Sequence, residues 1–426
     1  WNLVLHWNLL FQVSKVFDYV CELGREITQT ILEHYDDQLA KERDKKAYRD
    51  KGKRETSIKT VYGEVTYSRR VYRTEEENGQ TAYIHLLDQA MKMEKIGLIS
   101  TNLAEKIALT VTEAPYRVSA DTVSSTCGQT ISHGGVWNLI QQLGERISEE
   151  EEYAVKQMEA GRAEGKKAVG ILFEEMDGVW LRMQDSRHKK APKQEMKVFT
   201  MYEGWEAQNP KRSRLVNKKM LAGMEKSAQF HQKREALIEK IYDADEIGQR
   251  ILNGDGGSWI KEPYDPEAVF QLDRYHIFQE IKKKIRDEEA QKEIRELLEE
   301  KKAEEMLEYI QTYADSIESD DTRDKGSEKA RELYEYLWNN REGLVPYQER
   351  GIDLPEAGEG IVYKNMGVQE NQNCTAITLR MKHGRMRWSE NGANNMAKAL
   401  YRKENKELID TIERYTDGLV FTMGME

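Results

Sequence analysis

Three carboxylates in unusual backbone settings are the residues of this chain best suited to do chemistry. Asp177 stands inside an apolar run, KKAVGILFEEMDGVWLRMQ, and is followed by Gly178. A buried acid without a partner is costly or becomes protonated, so an acid held there implies a counter-charge, for which a hard cation is one candidate. Asp255 follows a short strand in RILNGDGGSWI, among three glycines that permit a tight turn and close approach of a ligand. Glu370 follows Gly367 in a polar, helix-forming stretch. Two aspartates on strand ends with a glutamate suit two Mg²⁺ ions roughly 3.5–4 Å apart, one activating a water or a 3′-hydroxyl, the other stabilising the leaving oxygen of a phosphodiester. The bland alternative is that three acids chosen from 76 Asp and Glu mean little. Asp273-Arg-Tyr-His276 is a fourth candidate, either as a metal ligand or as a helix-capping Asp with a His bonded into the core. A supporting role, orienting ligands rather than binding metal, is favoured for Asp273 and His276.

Other chemistries find little support. There is no Gly-x-Ser-x-Gly, no Cys beside a His in a recognisable frame and no Gly-x-x-x-x-Gly-Lys phosphate loop. His85, His133, His188 and His231 lack partners at zinc-ligand spacing. Cys21, Cys127 and Cys374 lie too far apart for a disulfide framework, so a reducing cytoplasm fits best. No run approaches the roughly 18–20 apolar residues of a membrane span, and the opening WNLVLHWNLLF has neither the basic start nor the cleavage site of a signal peptide. The chain begins with Trp1 rather than Met, which leaves its true start open.

The elements that must position these residues follow from periodicity. Residues 8–40 read as a helix, with Val13, Val16, Phe17, Val20 and Leu23 at helical spacing. TSIKTVYGEVTYSRRVYRT reads as a hairpin whose arms flank Tyr62-Gly63-Glu64. Residues 98–147 read as three helices, the third opened by Ser132, in a helix-turn-helix pattern that is also a common packing unit. From residue 166 strands appear around Asp177 and in EMKVFTMYEGWEA. A long helix is expected over about 217–248, a strand before Asp255, and a strand-to-helix passage in AVFQLDRYHIFQEI. Residues 281–345 read as charged helices with a seam of Leu297, Leu298, Met306, Leu307, Ile310, Leu333 and Leu337.

Net charge is −11, yet residues 41–73 carry 12 Lys and Arg against 5 acids, and residues 180–240 carry 15 against 7. Local basic faces of this kind suit a phosphate backbone, although solvated helix faces explain them equally simply. Lys59, Arg69 and Arg70 on the hairpin, and Ser132, His133 and Asn138 at the start of the third helix, are the DNA-contact candidates.

EEMDGVWLRMQ, KVFTMYEGW, NGDGGSWIK, FQLDRYHIFQEI and RMKHGRMRWSENGANNMAKAL, in this order, resemble the ISLre-two family of bacterial insertion-sequence transposases, which is related to the Mutator-like transposases. GKRETSIKTVYGEVTYSRRVYR and TISHGGVWNLIQQLGERI match it too, so the resemblance covers nearly the whole chain. It implies an α/β fold: an RNase-H-like mixed-sheet catalytic core with an all-helical insertion, preceded by a helical and β-hairpin N-terminal region and a helix-turn-helix. The implied DDE triad is Asp177, Asp255 and Glu370, the Asp-x-x-His motif falls on Asp273 and His276, and Glu390 competes with Glu370 for the third position.

The domains expected are 1–80 for the N-terminal helix and basic hairpin, 81–165 for the helix-turn-helix and a linker helix, 166–280 and 346–426 for the two parts of the core, and 281–345 for the insertion. The resemblance further implies Mg²⁺, two ions with Mn²⁺ as a substitute, acting on double-stranded DNA at element ends and target. A homodimer or higher assembly on DNA in the bacterial cytoplasm, without a membrane, completes the expectation. A DNA-binding protein without catalysis and an RNase-H-like nuclease without strand transfer are the alternatives.

Overall fold

A computed structural model of the chain describes residues 2–76, 79–91, 99–184, 192–209, 212–261, 268–317 and 325–416. They fall into two compact units, Trp1–Ile147 with Lys406–Glu426, and Ser148–Asn405.

In the first unit, helix α1 (Asn2–Glu42) lies against an antiparallel sheet of β1 (Arg49–Thr60), β2 (Gly63–Glu75) and β3 (Thr81–Ile84). The expected hairpin forms, but it turns at Val61-Tyr62, with Thr60 paired to Gly63, so Gly63 and Glu64 already belong to the second strand. Leu32 of α1 packs with Ile58, Val65, Tyr67 and Leu87, the last from α2 (Leu86–Ala90). The apolar positions Val13, Val16, Phe17, Val20, Leu23 and Ile27 of α1 stay exposed. The expected three-helix pattern forms α3 (Thr101–Glu113), α4 (Tyr116–Thr126) and α5 (His133–Glu159). Ser100 caps α3 by accepting from Leu103 N–H, and Pro115 separates α3 from α4. Leu103, Ile107 and Val111 recur every four residues and are buried, the face such spacing predicts.

The division between the units falls inside α5, at Ser148. The second unit is built on a five-stranded mixed sheet of order β10-β9-β4-β5-β8. Its strands are β4 (Lys167–Arg182), β5 (Lys193–Tyr202), β8 (Lys219–Gly223), β9 (Tyr242–Gly254) and β10 (Val269–Leu272). β10, β9 and β4 run parallel, while β4, β5 and β8 pair antiparallel. β4 is central and is buried continuously from Ile171 to Asp177, with Glu174, Glu175 and Asp177 enclosed among its apolar residues. The helix expected over 217–248 is instead β8, a short α6 (Ser227–Glu239) and β9. The first half of β9, YDADEIGQR, is polar and largely unburied, so no alternation marks it as a strand; pairing with β4 makes it one.

A small second sheet joins β6 (Trp205–Asn209) and β7 (Arg212–Leu215) to β11 (Ile361–Val362). After the short α7 (Ser258–Lys261), the helices α8 (Arg274–Lys284), α9 (Glu288–Glu299), α10 (Ala303–Ser316) and α11 (Gly326–Asn339) share a core of Ile277, Ile281, Ile294, Leu298, Met306, Ile310, Leu333 and Leu337. Among the described residues, the charged 281–345 region is thus helical along its expected seam. Near the end of the unit, α12 (Gln369–Gln372) continues through a π-helical turn, Asn373–Thr378, into α13 (Leu379–Met381), and α14 (Glu390–Glu404) packs on β8. Three buried charges and the partly buried Glu225 tie these parts together. Lys233 of α6 and Lys398 of α14 each contact both Glu151 of α5 and Glu225, at 2.6–2.9 Å.

The last helix, α15 (Leu408–Thr416), belongs to the first unit and packs on α3, rather than completing the 346–426 part of the core.

Candidate metal centre

Residues two apart on a strand face the same side, so Glu175 and Asp177 share one face of β4 and Glu174 takes the other. Asp177 lies near the end of the strand's buried stretch. Its Oδ1 accepts from Gly178 N–H at 2.7 Å and its Oδ2 from Asn373 Nδ2 at 2.6 Å.

Glu370 comes from the first turn of α12, whose approach requires Gly367 at φ +124°, a conformation other residues rarely adopt. His276 comes from the first turn of α8, where Asp273 is the N-cap: its Oδ1 accepts from Tyr275 N–H at 2.8 Å and His276 N–H at 3.3 Å. His276 Nε2 then stands 3.7 Å from Asp177 Oδ1 and 3.5 Å from Glu370 Oε1. One ligand atom from each of Asp177, His276 and Glu370 lies within 4.8 Å of the others, the spread a single cation can gather.

The electrostatics show what these groups lack. Burial raises the Glu370 carboxyl above its ordinary value, and repulsion by Asp177 adds to this beyond what His276 offsets. Burial opposes charge on His276, yet Asp177, Asp273 and Asp255 together lift it to about 9. A proton on His276 thereby neutralises part of a crowded set of acids. Hard oxygen donors with one imidazole, short of positive charge, are a donor set that fits a divalent cation.

Asp255 follows the last residue of β9, next to β4 in the sheet. Its Oδ1 accepts from Gly257 N–H at 2.8 Å, and Gly256 holds the turn at φ +82°. Burial raises its carboxyl, with Asp177 and Asp273 adding to the rise and His276 opposing it. Asp255 therefore feels the charges of the cluster without being one of its three gathered ligand atoms. Tyr336 of α11 donates to the Asp255 carbonyl at 2.9 Å, so the helical insertion braces this turn.

Sequence reasoning missed the supports. Glu175 is fully buried and accepts from Tyr202 Oη at 2.5 Å, Asn253 Nδ2 at 3.1 Å and the N–H groups of Gly367, Val368 and Gln369 at 3.1–3.2 Å. Burial pushes its carboxyl up, against the pull of these donors. Its adjacency to Asp177 in EEMDG was the available signal. Glu195 of β5, raised chiefly by burial and also by Asp255 and Asp177, is hydrogen-bonded to the Trp259 indole, and nothing in the local sequence marked it.

The DNA-contact candidates separate into two kinds. Lys59, Ser132, His133 and Asn138 are exposed, and Ser132 Oγ also caps α5 by accepting from Gly135 N–H at 3.1 Å. Arg69 and Arg70 differ from expectation: Arg69 pairs with Asp88, and Arg70 with Asp36 and Asp37 at 2.7 and 2.6 Å. Acids of α1 and α2 draw both guanidinium groups inward, which leaves them largely engaged within the fold. Among the other histidines, His85 and His231 bond to backbone carbonyls, and His188 lies outside the described residues. Glu390 is exposed in the first turn of α14. No helix among the described residues is long and apolar enough to cross a membrane.

Comparison with known proteins places this sequence among relatives. A UPF0236 protein of Caldanaerobacter subterraneus subsp. tengcongensis, whose name gathers eleven loci, is 25% identical over 402 residues, 92% of this chain and 77% of that protein. A second from the same organism, named for four loci, is 24% identical over the same length. A UPF0236 protein in the vanSb 3′ region of Streptococcus gallolyticus is 26% identical over 343 residues, 79% of this chain and 70% of that protein. The uncharacterised protein family UPF0236 matches residues 6–413, and the chain belongs to that family.

Proposed function

We propose that this protein is a DDE transposase of an insertion sequence, cutting double-stranded DNA at the element's ends and joining the freed 3′-hydroxyl to target DNA. The observation that carries the reading is the convergence of Asp177, Glu370 and His276 beside a sheet whose neighbouring strand ends at Asp255. The sheet order supports an RNase-H-like core: an antiparallel β4-β5-β8 meander extended by two parallel strands, with one acid on the central strand and another at the end of its parallel neighbour. Relatives named for many loci in one bacterium are what a mobile element leaves behind.

A divalent cation held by Asp177 and Glu370, with Asp255 or His276 completing the set, supplies a Lewis acid for substitution at phosphorus. The chain's own residues prepare the site. Asn373 and the Gly178 N–H orient Asp177, and Asp273 fixes the turn that presents His276. His276 holds a proton at Nε2 between Asp177 and Glu370 when no other positive charge is there. The exposed His133 and Asn138 on α5 suit base contacts and Lys59 a phosphate contact.

The test uses labelled DNA from both flanks of the gene, with Mg²⁺ and a target plasmid. Cleavage at the element boundary followed by joined product is the expected result, with neither from Asp177→Asn. Cleavage without joining would make the protein a nuclease, and binding without cleavage a DNA-binding protein.

A further inference from the structure

The fully buried Glu175 is a separate carboxylate from the gathered ligands, and its contacts reach every segment that carries them. It lies two residues before Asp177 on the same strand. Three consecutive N–H groups, of Gly367, Val368 and Gln369, donate to it at the point where the chain enters α12, immediately before Glu370. Asn253 uses its amide to donate both to Glu175 Oε2 at 3.1 Å and to Asp273 Oδ2 at 2.6 Å, and Asp273 caps the helix that presents His276. Asn253 is also the β9 residue paired with Glu175 and lies two before Asp255. Tyr202 closes the set from β5. Five donors thus meet on two oxygens, and each donor belongs to a segment adjoining a site residue.

We propose that Glu175 is a positioning residue: it sets the spacing of Asp177, Glu370 and His276 and so fixes the affinity of the site for a divalent cation. The inference rests on the metal reading of that cluster. No other side-chain type does the same work at this position. Gln has the size of Glu, but its amide offers one acceptor oxygen, and its NH₂ would face N–H donors. The start of α12 would then lose its anchor, and Glu370 would move with it.

The experiment is a Mn²⁺ titration of the full chain, followed by the electron paramagnetic resonance of free Mn²⁺, alongside thermal melting and binding to element-end DNA. For Glu175→Gln the Mn²⁺ concentration for half-saturation should rise about 10–100-fold, the range for groups that orient metal ligands. Melting should stay cooperative and DNA binding unchanged. Glu175→Asp, which restores the charge, should recover part of the affinity, a result that a purely space-filling role would not give. If Glu175→Gln does not fold, Asn253→Ala is read in the same way, since it cuts the link from Glu175 to the α8 cap. A folded variant that binds Mn²⁺ like the unaltered protein overturns the positioning role and leaves the metal reading standing. Failure of the unaltered protein itself to bind Mn²⁺ overturns the metal reading, and the positioning role with it.

Discussion

Asp177 and Asn373 are 196 residues apart in sequence, and the Asn373 amide donates to Asp177 Oδ2 at 2.6 Å. That bond joins the central strand of the sheet to the helix that carries Glu370. It places the two acids by contact rather than by general proximity, and it leaves Asp177 Oδ1 turned toward His276.

The acids themselves give the sharpest test. Asp177→Asn, Asp255→Asn and Glu370→Gln should each abolish cleavage and joining of element-end DNA while sparing folding and DNA binding, because a neutral carbonyl oxygen is a far weaker ligand for Mg²⁺. Glu390→Gln should keep activity, its side chain being exposed. Asp273→Asn should lose about 10–100-fold, as it orients His276 rather than meeting substrate. Activity in Glu370→Gln together with its loss in Glu390→Gln would move the third acid to position 390.

The protonation of His276 predicts a pH effect on the metal-free protein. Its pKa is raised to about 9 from an ordinary 6.5. The stabilisation is therefore fully present below about pH 6.5 and is lost as pH rises through 9, amounting to on the order of 2–3 kcal/mol. Melting temperatures measured from pH 6 to 10 should fall more steeply for the unaltered protein than for His276→Gln. Mn²⁺ should bind more tightly across the same window, because it competes with that proton. Parallel melting curves for the two proteins would count against the raised value.

Glu225 makes the opposite prediction. It is surrounded by Lys233 and Lys398, and although burial resists ionisation, the two lysines hold its carboxyl at about 2. Its contribution is present above about pH 4.5 and is lost as pH falls toward 2. Glu225→Gln leaves two buried lysines facing Glu151 alone, which should cost about 3–5 kcal/mol in chemical denaturation at pH 7. A cost under about 1 kcal/mol would show that the buried charges are not relying on one another.

His133→Ala with Asn138→Ala should lower discrimination between element-end and unrelated DNA more than it lowers binding to unrelated DNA, since base contacts specify and phosphate contacts position. Competition binding at a fixed salt concentration reads the ratio. Ser132 is left unaltered here because its hydroxyl caps α5, so its loss would mix helix destabilisation with recognition. An unchanged ratio would remove α5 as the reading helix.

How far the sequence was legible depended on whether a signal was local. The hairpin around Tyr62, the Asp273 cap and the helices among the described residues of 281–345 were readable because turn residues, capping side chains and apolar spacing are short-range facts. β9 was missed because its first half is polar and its strand character comes from pairing with β4. Arg69 and Arg70 were DNA-contact candidates on a basic strand, but the acids that hold them come from α1 and α2, distant in sequence. Glu175 carried no mark of its own beyond standing beside Asp177; its donors lie up to 194 residues away.

The wide turn at Asn373–Thr378 makes one helix answer to two masters. Glu370 and Asn373 face the acids ahead of it or at its start, while Ile377, Arg380 and Met381 are fixed in the interior within and beyond it. A uniformly wound helix has a single phase, so seating one end dictates the other. The π turn holds one residue more than regular winding would, and so acts as a phase adjuster between site and interior. Winding the same residues as an ordinary α-helix, with none deleted, would keep Arg380 and Met381 seated yet swing Glu370 by about 100° around the axis. The position of Glu370 thus depends on how this one turn is wound, with every acid still present.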